Sequence, residues 1–245
     1  MERIDRVGFG DYRLAQDPTQ FCYGIDAVIL ADFAQAKSSD IIADLGTGNG
    51  VIPLILYHKS HASRIVGVEK QNEAYELAVR NGRMNGLTDC LEWVCCDVTD
   101  LQDHFPPGGF SLVVSNPPYV EKDGGPTNRS KHLETARHET TGTLEDFVKA
   151  AAYLLLPLGS FCLVHRPSRL VDILWCCRKH RLEPKRLRFV APRTGEAPNI
   201  VLVQCVKNGG KELNMEPTLV VRDEQGRYSA EIDRIYERDS NQKRR

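Results

Sequence analysis

Asn116-Pro117-Pro118-Tyr119 is a run of residue types that can hold a planar amino group. Neither proline carries a backbone N–H, so the carbonyls of Asn116 and Pro117 are not readily consumed by secondary structure and can accept hydrogen bonds. The side-chain carbonyl of Asn116 is a further acceptor, and Tyr119 offers a ring face for stacking. Together they suit an exocyclic –NH2 group and the ring that bears it. Taken alone, the same four residues also fit a simple turn, because Asn and Pro both favour turns.

The elements around the tetrapeptide separate these alternatives. Phe110-Ser111-Leu112-Val113-Val114, introduced by Pro106-Pro107-Gly108-Gly109 and closed by Ser115, reads as a buried strand that delivers Asn116 to its tip. Upstream, the strand 40–45 runs directly into Asp44-Leu45-Gly46-Thr47-Gly48-Asn49-Gly50. Glycines there permit backbone conformations and close approaches that other residues forbid. A helix follows through Val51, Ile52, Leu54 and Ile55, with Pro53 in its first turn. The spacing G-x-G-x-G departs from the dinucleotide fingerprint, and the absence of a Walker lysine disfavours nucleoside triphosphates.

Two more strands repeat the arrangement. Arg64-Ile65-Val66-Gly67-Val68-Glu69 ends in an acid suited to a pair of ribose hydroxyls, and Asn72 is predicted to cap a helix carrying Ala74, Leu77 and Ala78. The strand 91–96 is closed by Asp97. An Asp at a strand exit can simply start a turn. Asp44, Glu69 and Asp97, however, all stand at the carboxyl ends of strands in an alternating β/α pattern, the edge where open α/β sheets bind ligands. The expectation is a nucleoside-containing cofactor.

These residues, in this order, resemble the S-adenosylmethionine-dependent methyltransferases that act on exocyclic or amide nitrogens. Within that group the chain is similar to the bacterial tRNA (adenine-N6)-methyltransferases that modify valine tRNA beside the anticodon. The similarity runs from about Phe21 to the Tyr236 region and includes Phe21-Cys22-Tyr23-Gly24-Ile25-Asp26. It implies a Rossmann-like α/β fold and S-adenosyl-L-methionine as cofactor. Asp44, Gly46, Thr47 and Gly48 would then line the cofactor, with Glu69 on its ribose, Asp97 on its adenine amino group and Asn116 between cofactor and target. Asn116 and the Pro117 carbonyl would hold the target nitrogen, Tyr119 would stack on the target ring, and the partner would be an adenine in a tRNA anticodon loop.

The chemistry suits such residues. An adenine N6 lone pair is delocalised into its ring, and acceptors on its hydrogens would raise its electron density while aiming it at the methyl group. Positioning two bound reactants supplies most of the rate. No metal or obligatory base is required, and an unpaired loop base is cheaper to extrude than one in a duplex.

The remaining chain sets limits. With 41% hydrophobic and 27% charged residues and a net charge of −1, the composition is that of an ordinary globular protein and does not by itself indicate nucleic acid. No apolar run approaches the length of a membrane span, and the N-terminus lacks a signal-peptide core, so a cytoplasmic protein is expected. The eight cysteines include no Cys-x-x-Cys pair and read mostly as reduced, buried small hydrophobes.

The expected organisation is an N-terminal segment over 1–20, one methyltransferase domain over 21–237 and a disordered polar tail over 238–245. The sheet should have seven mostly parallel strands, the last three being 160–164, 186–190 and 200–206, with an antiparallel terminal hairpin strand. A helix is predicted from Leu144 to Leu156, another over Leu170–Cys177, and residues 213–236 are expected as an extended segment, a turn at Gly226 and a short helix. The stretch 120–141, with Arg129, Lys131, His132, Arg137 and His138, is either a substrate lid or a solvated loop. Residues 166–193 hold nine Lys or Arg against two acids, a local +7 that either tracks RNA phosphates or is a solvated surface.

Two relatives share the chemistry: enzymes that methylate a glutamine side chain of release factors, and those that methylate guanine N2 in ribosomal RNA. The former carry a helical domain ahead of the cofactor domain, for which about twenty residues before Phe21 are too few. Tyr119 and the single-domain length favour adenine over guanine. A noncatalytic cofactor- or RNA-binding protein is the remaining alternative, disfavoured by the intact acids and tetrapeptide.

Overall fold

The chain opens with a hairpin, Arg3–Arg6 (β1) and Arg13–Gln16 (β2), in a stretch whose sequence is polar and weakly patterned. This computed structural model describes residues 3–16, 24–118 and 142–238. Phe21, Cys22, Tyr23, Tyr119, the 120–141 stretch and residues 239–245 lie outside the described residues.

After helix α1 (Ile25–Phe33) come β3 (Ile41–Leu45), α2 (Val51–Ser60), β4 (Arg64–Glu69), α3 (Asn72–Met84), β5 (Leu91–Cys95) and β6 (Phe110–Ser115). The second half supplies α4 (Leu144–Leu154), β7 (Leu155–His165), α5 (Leu170–Lys179), β8 (Leu182–Arg193), β9 (Ile200–Lys207), β10 (Asn214–Arg222) and α6 (Ala230–Ile235). Strands β3 to β10 form one sheet in the order β10-β8-β9-β7-β6-β3-β4-β5. Only β9 runs against its neighbours β7 and β8; the other pairings are parallel. This is the Rossmann-like, mostly parallel sheet expected.

Alternation along the buried strands builds two cores, since successive side chains point to opposite faces. Ile42, Ile65, Leu112, Val114 and Val164 pack beneath α1, α2 and α6, whereas Ala43, Val66, Val68, Val113 and Leu163 pack beneath α4 and α5. Both faces are therefore apolar, which accounts for the near-continuous hydrophobic runs in the sequence.

Several boundaries differ from expectation. The sheet has eight strands where seven were predicted, because the extended segment after residue 213 becomes β10 and pairs with β8. Pro217 and the polar residues Asn214, Glu216 and Thr218 hide it in the sequence; proline is tolerated at a sheet edge, and the register shifts between Glu216 and Leu219. Gln71 rather than Asn72 precedes α3. Helix α4 is started by a Thr143–Asp146 capping box and stops at Leu154, so Leu155 opens β7 and Pro157 lies within that strand.

The hairpin is no loose appendage. Val7, Phe9 and Leu14 are buried in the core shared with α1 and α2, and Phe9 stacks on Tyr236 at 5.8 Å. Arg238, expected at the start of a disordered tail, lies 4.2 Å from the Tyr236 ring. The described cysteines are free; Cys162, Cys176, Cys177 and Cys205 are buried as predicted, while Cys95 is exposed and Cys90 and Cys96 are half-buried.

Candidate active site

Strand β3 ends at the glycine loop, and its two neighbours set what surrounds it. Leu45 pairs with Val68 of β4 on one side and with Ser115 of β6 on the other. The Ser115 hydroxyl, fully buried, donates to the Leu45 carbonyl at 2.8 Å. This bond ties the exit of β6 to the start of the loop, so Asn116 and Pro117 leave the sheet beside Gly46. On the β4 side the backbone N–H groups of Gly46 and Thr47 both donate to the Val68 carbonyl, at 2.9 and 3.0 Å.

The loop itself turns through positive φ at Gly46 (+73°), Gly48 (+57°) and Gly50 (+80°), values that disfavour any residue with a Cβ. Their reasons differ. A Cβ on Gly48 would meet nothing within 4 Å, so this glycine borders open space. One on Gly46 would come to 3.2 Å from Phe147 of α4, and one on Gly50 to 2.6 Å from Trp93. Trp93 of β5 also lies against Gly67 and Gly82, where an added Cβ would come to 2.6 and 3.0 Å. The indole thus occupies a slot made by three glycines and supports the loop from below. Sequence reasoning assigned Gly50 to ligand approach; its structural partner is Trp93, which only strand pairing could reveal.

Glu69 and the loop are joined directly. One carboxylate oxygen accepts from Gly48 N–H at 2.9 Å and the other from Gln71 N–H at 2.9 Å. Asp97 lies two residues beyond β5, where Lys70 pairs with it at 2.7 Å and Thr99 N–H donates to it at 3.0 Å. Partial burial opposes its ionisation, but the Lys70 ammonium and Thr99 outweigh that and hold its carboxyl below the usual range. Asp44 is the contrast: it is wholly buried, and desolvation pushes its carboxyl up to about 7, opposed by the Thr47 hydroxyl, which faces it without meeting hydrogen-bond geometry, and reinforced by the Glu69 charge.

Three loop side chains hold buried polar atoms without hydrogen-bond partners: both carboxylate oxygens of Asp44, the Thr47 hydroxyl and Nδ2 of Asn49. Such atoms are nearly always partnered in folded proteins. A carboxylate, a hydroxyl and an amide donor within six residues match a ligand end carrying both an ammonium and a carboxylate. The amino-acid end of S-adenosylmethionine has those groups, so the residues present fit that cofactor.

Among the expected target-holding residues, Asn116 is half-buried and Pro117 buried; Tyr119 lies outside the described residues. Beside them at the tip of β7 stands His165, unremarked in the sequence. Burial, with Arg169 and Arg166 nearby, pushes its imidazole down to about 4, and Nδ1 accepts from Arg166 N–H at 2.8 Å. The ring is neutral at physiological pH.

The basic stretch 166–193 is partly neutralised. Arg169 pairs with Asp172, Arg178 with Glu183, Lys179 with Glu145, Arg186 with Glu216 and Arg188 with Glu231, all between 2.7 and 3.1 Å. Glu145, Glu216 and Glu231 come from outside the stretch, so a local charge count could not register them. Arg186, Arg188, Glu216 and Glu231 line a cleft of about 340 Å3 near α1 and β10, remote from the glycine loop. A second cleft, about 350 Å3, begins at Val98 and Thr99 beside Asp97 and extends along Lys149, Ala150 and Tyr153 of α4. Among the described residues no cluster of His, Cys, Asp and Glu is suited to a metal ion, and no helix is long and apolar enough to cross a membrane.

Residues 12–170 match the model of the methyltransferase small domain. The chain is 28% identical over 242 residues to the tRNA1(Val) (adenine(37)-N6)-methyltransferase of Porphyromonas gingivalis strain W83, covering 95% of this chain and 94% of that one. It is 27% identical to the enzyme of the same name from Pectobacterium carotovorum, covering 95% and 92%. Among solved structures, a protein from Agrobacterium tumefaciens described as a predicted O-methyltransferase superposes with a TM-score of 0.72 at 22% identity, over 86% of this chain and 95% of that one. A geranyl diphosphate C-methyltransferase from Streptomyces coelicolor, solved with S-adenosyl-L-homocysteine, gives 0.53 at 16% identity, covering 74% and 79%. At these identities the structures speak for the fold.

Proposed function

The chain belongs to the methyltransferase small domain family, and from that premise we propose that it transfers a methyl group from S-adenosyl-L-methionine to the N6 amino group of an adenine in tRNA, beside the anticodon of a valine tRNA. The observation that carries this reading is the junction of two strand exits. The Ser115–Leu45 hydrogen bond sets Asn116-Pro117-Pro118 next to a glycine loop whose buried polar atoms await a zwitterionic partner. The names of the relatives that match almost end to end supply the substrate class.

The cofactor, when bound, supplies an electrophilic methyl group on a sulfonium sulfur. Asp44, Thr47 and Asn49 would meet its amino-acid end, Gly46 and Gly48 would let it approach the backbone, Glu69 would take its ribose hydroxyls and Asp97 its adenine amino group. The carboxamide oxygen of Asn116 and the Pro117 carbonyl accept the two N6 hydrogens of the target, which restrains the amino group and enriches its lone pair; Tyr119 stacks on the ring. So held, the neutral N6 would take the methyl carbon as the carbon–sulfur bond breaks and its electron pair stays on sulfur, leaving S-adenosyl-L-homocysteine, and the N6 proton would then leave to solvent. The two carbonyls do not need to be bases. A protein acting on tRNA in this way works in the cytoplasm.

The decisive experiment is incubation with tritiated S-adenosylmethionine and, separately, tRNA, ribosomal RNA and a protein extract from a strain lacking the protein, followed by nucleoside analysis. Label in tRNA as N6-methyladenosine is expected. Label in protein alone would replace this reading with glutamine methylation, label in ribosomal RNA as N2-methylguanosine with the guanine reaction, and no label anywhere with a noncatalytic role.

A further inference from the structure

Asn81 is wholly buried on α3 and joins two segments far apart in the chain. Its Nδ2 donates to the carbonyl of Asn49 in the glycine loop at 2.9 Å and to the carbonyl of Ala15 in β2 at 3.1 Å, while its Oδ1 accepts from Ala15 N–H at 2.8 Å. One helical turn later Asn85 repeats the pattern: its Oδ1 accepts from Arg13 N–H at 2.9 Å and its Nδ2 donates to the Arg13 carbonyl at 2.7 Å. Four residues of helix rise about 6 Å, close to the roughly 6.6 Å between alternate residues of a strand. The carboxamides of Asn81 on α3 and of Asn85, which caps its C-terminal end, therefore pair with the outer edge of β2 as a neighbouring strand would. Of the two, Asn81 also holds the loop.

We propose that Asn81 is a positioning residue that couples occupancy of the cofactor loop to the order of the N-terminal hairpin, strengthening cofactor binding without touching the cofactor. The inference rests on the function proposed above. Asn49 stands at the centre of the coupling: its carbonyl is held by Asn81, its Oδ1 accepts from Val51 N–H at 3.3 Å, and its Nδ2 is one of the orphaned atoms of the site. A ligand that engages Nδ2 restrains the Asn49 peptide and with it the Asn81 carboxamide, whose remaining donor and acceptor are committed to Ala15. On the α3 side the hairpin backbone is held by the Asn81 and Asn85 carboxamides, while Val7, Phe9 and Leu14 bury its other side in the core. Linkage requires that the effect run both ways: whatever stabilises the hairpin through Asn81 tightens the loop for its ligand, and the ligand stabilises the hairpin.

The test uses the full-length protein and S-adenosyl-L-homocysteine, comparing wild type, Asn81→Ala and Asn85→Ala by titration calorimetry, thermal melting and hydrogen exchange of the segment 3–16. Both substitutions should lower the melting temperature, because each leaves hairpin backbone groups unpaired. Only Asn81→Ala should weaken binding, by about tenfold for the loss of one buried hydrogen bond to the loop, while Asn85→Ala stays within about twofold of wild type. Saturating S-adenosyl-L-homocysteine should slow exchange of segment 3–16 in wild type and leave it unchanged in Asn81→Ala. If Asn81→Ala is too unstable to titrate, Asn81→Ser, which is too short to reach the Asn49 carbonyl and buries no charge, should show the same loss. Wild-type affinity in these Asn81 variants, equal weakening by Asn85→Ala, or a wild-type hairpin that ignores the ligand would each overturn the coupling while the proposed function stands. A wild-type protein that binds no S-adenosyl-L-homocysteine would remove both.

Discussion

Gly50→Ala separates the support of the glycine loop from its binding surface. Gly50 has φ +80°, and an added Cβ would lie 2.6 Å from Trp93 Cη2, 3.0 Å from Cζ3 and 3.2 Å from the Ala78 methyl. The left-handed backbone costs about 1–2 kcal/mol for a residue with a Cβ. Overpacking adds about 1–3 kcal/mol, and Trp93 has little room to retreat because Gly67 and Gly82 press on the same indole. A total of about 3 kcal/mol corresponds to a fall of roughly 10 °C in melting temperature for a domain of this size.

Gly48→Ala is the control. It carries the backbone cost at φ +57° but meets no atom within 4 Å, so its melting temperature should fall by only about half as much. Its methyl group would stand in the space left for the cofactor, and S-adenosyl-L-homocysteine affinity should drop by about tenfold or more. Differential scanning calorimetry and titration calorimetry read the two effects separately. In a double-mutant cycle, Trp93→Leu should relieve most of the packing part of the Gly50→Ala penalty. A Gly50→Ala protein that melts within 2 °C of wild type, or as Gly48→Ala does, would refute the assignment of Gly50 to Trp93.

Asp44 makes stability depend on pH. Its carboxyl, raised to about 7 in the fold against about 3.9 in an unfolded chain, costs nothing below about pH 4; the penalty grows as pH rises and is complete above about 7, reaching about 4 kcal/mol. Urea melts of the ligand-free protein should show stability falling between about pH 4 and 7 and level above that, and Asp44→Asn should flatten that slope; an unchanged slope would acquit Asp44. Asn116→Ala should abolish methyl transfer while S-adenosyl-L-homocysteine binding is largely kept, and undiminished transfer would remove Asn116 from its role. Glu69→Ala should weaken cofactor binding and also destabilise the loop, because Gly48 N–H and Gln71 N–H both lose their acceptor. Unaltered affinity by calorimetry would contradict the placement of Glu69 on the ribose.

Much of the site was legible because its residues are local to strand ends. The runs 41–45, 64–69, 91–95 and 110–115 are apolar enough to announce buried strands, and a parallel α/β sheet places the carboxyl ends of its strands on one edge whatever the details. Asp44, Glu69, Asp97 and Asn116 could therefore be assigned to a common edge without coordinates. The paired edge strand β10 and the buried hairpin were not legible as such: Pro217 and the polar residues around Phe9 break the alternation on which strand reading depends. The charge of the stretch 166–193 was only partly legible for a related reason, since Glu145, Glu216 and Glu231 arrive from other elements.

The sequence by itself determined the fold class and the candidate residues of the site, because hydrophobic period, glycine spacing and the order of acids and tetrapeptide are properties of contiguous residues. Tertiary structure alone decided which groups serve which. It gave Gly50 to Trp93 and Gly48 to open space, left Asp44, Thr47 and Asn49 with unpaired polar atoms, and wired Asn81 to both loop and hairpin. Those contacts join residues 32 to 66 positions apart, and such distances are set by strand pairing and core packing, to which no local window of sequence has access.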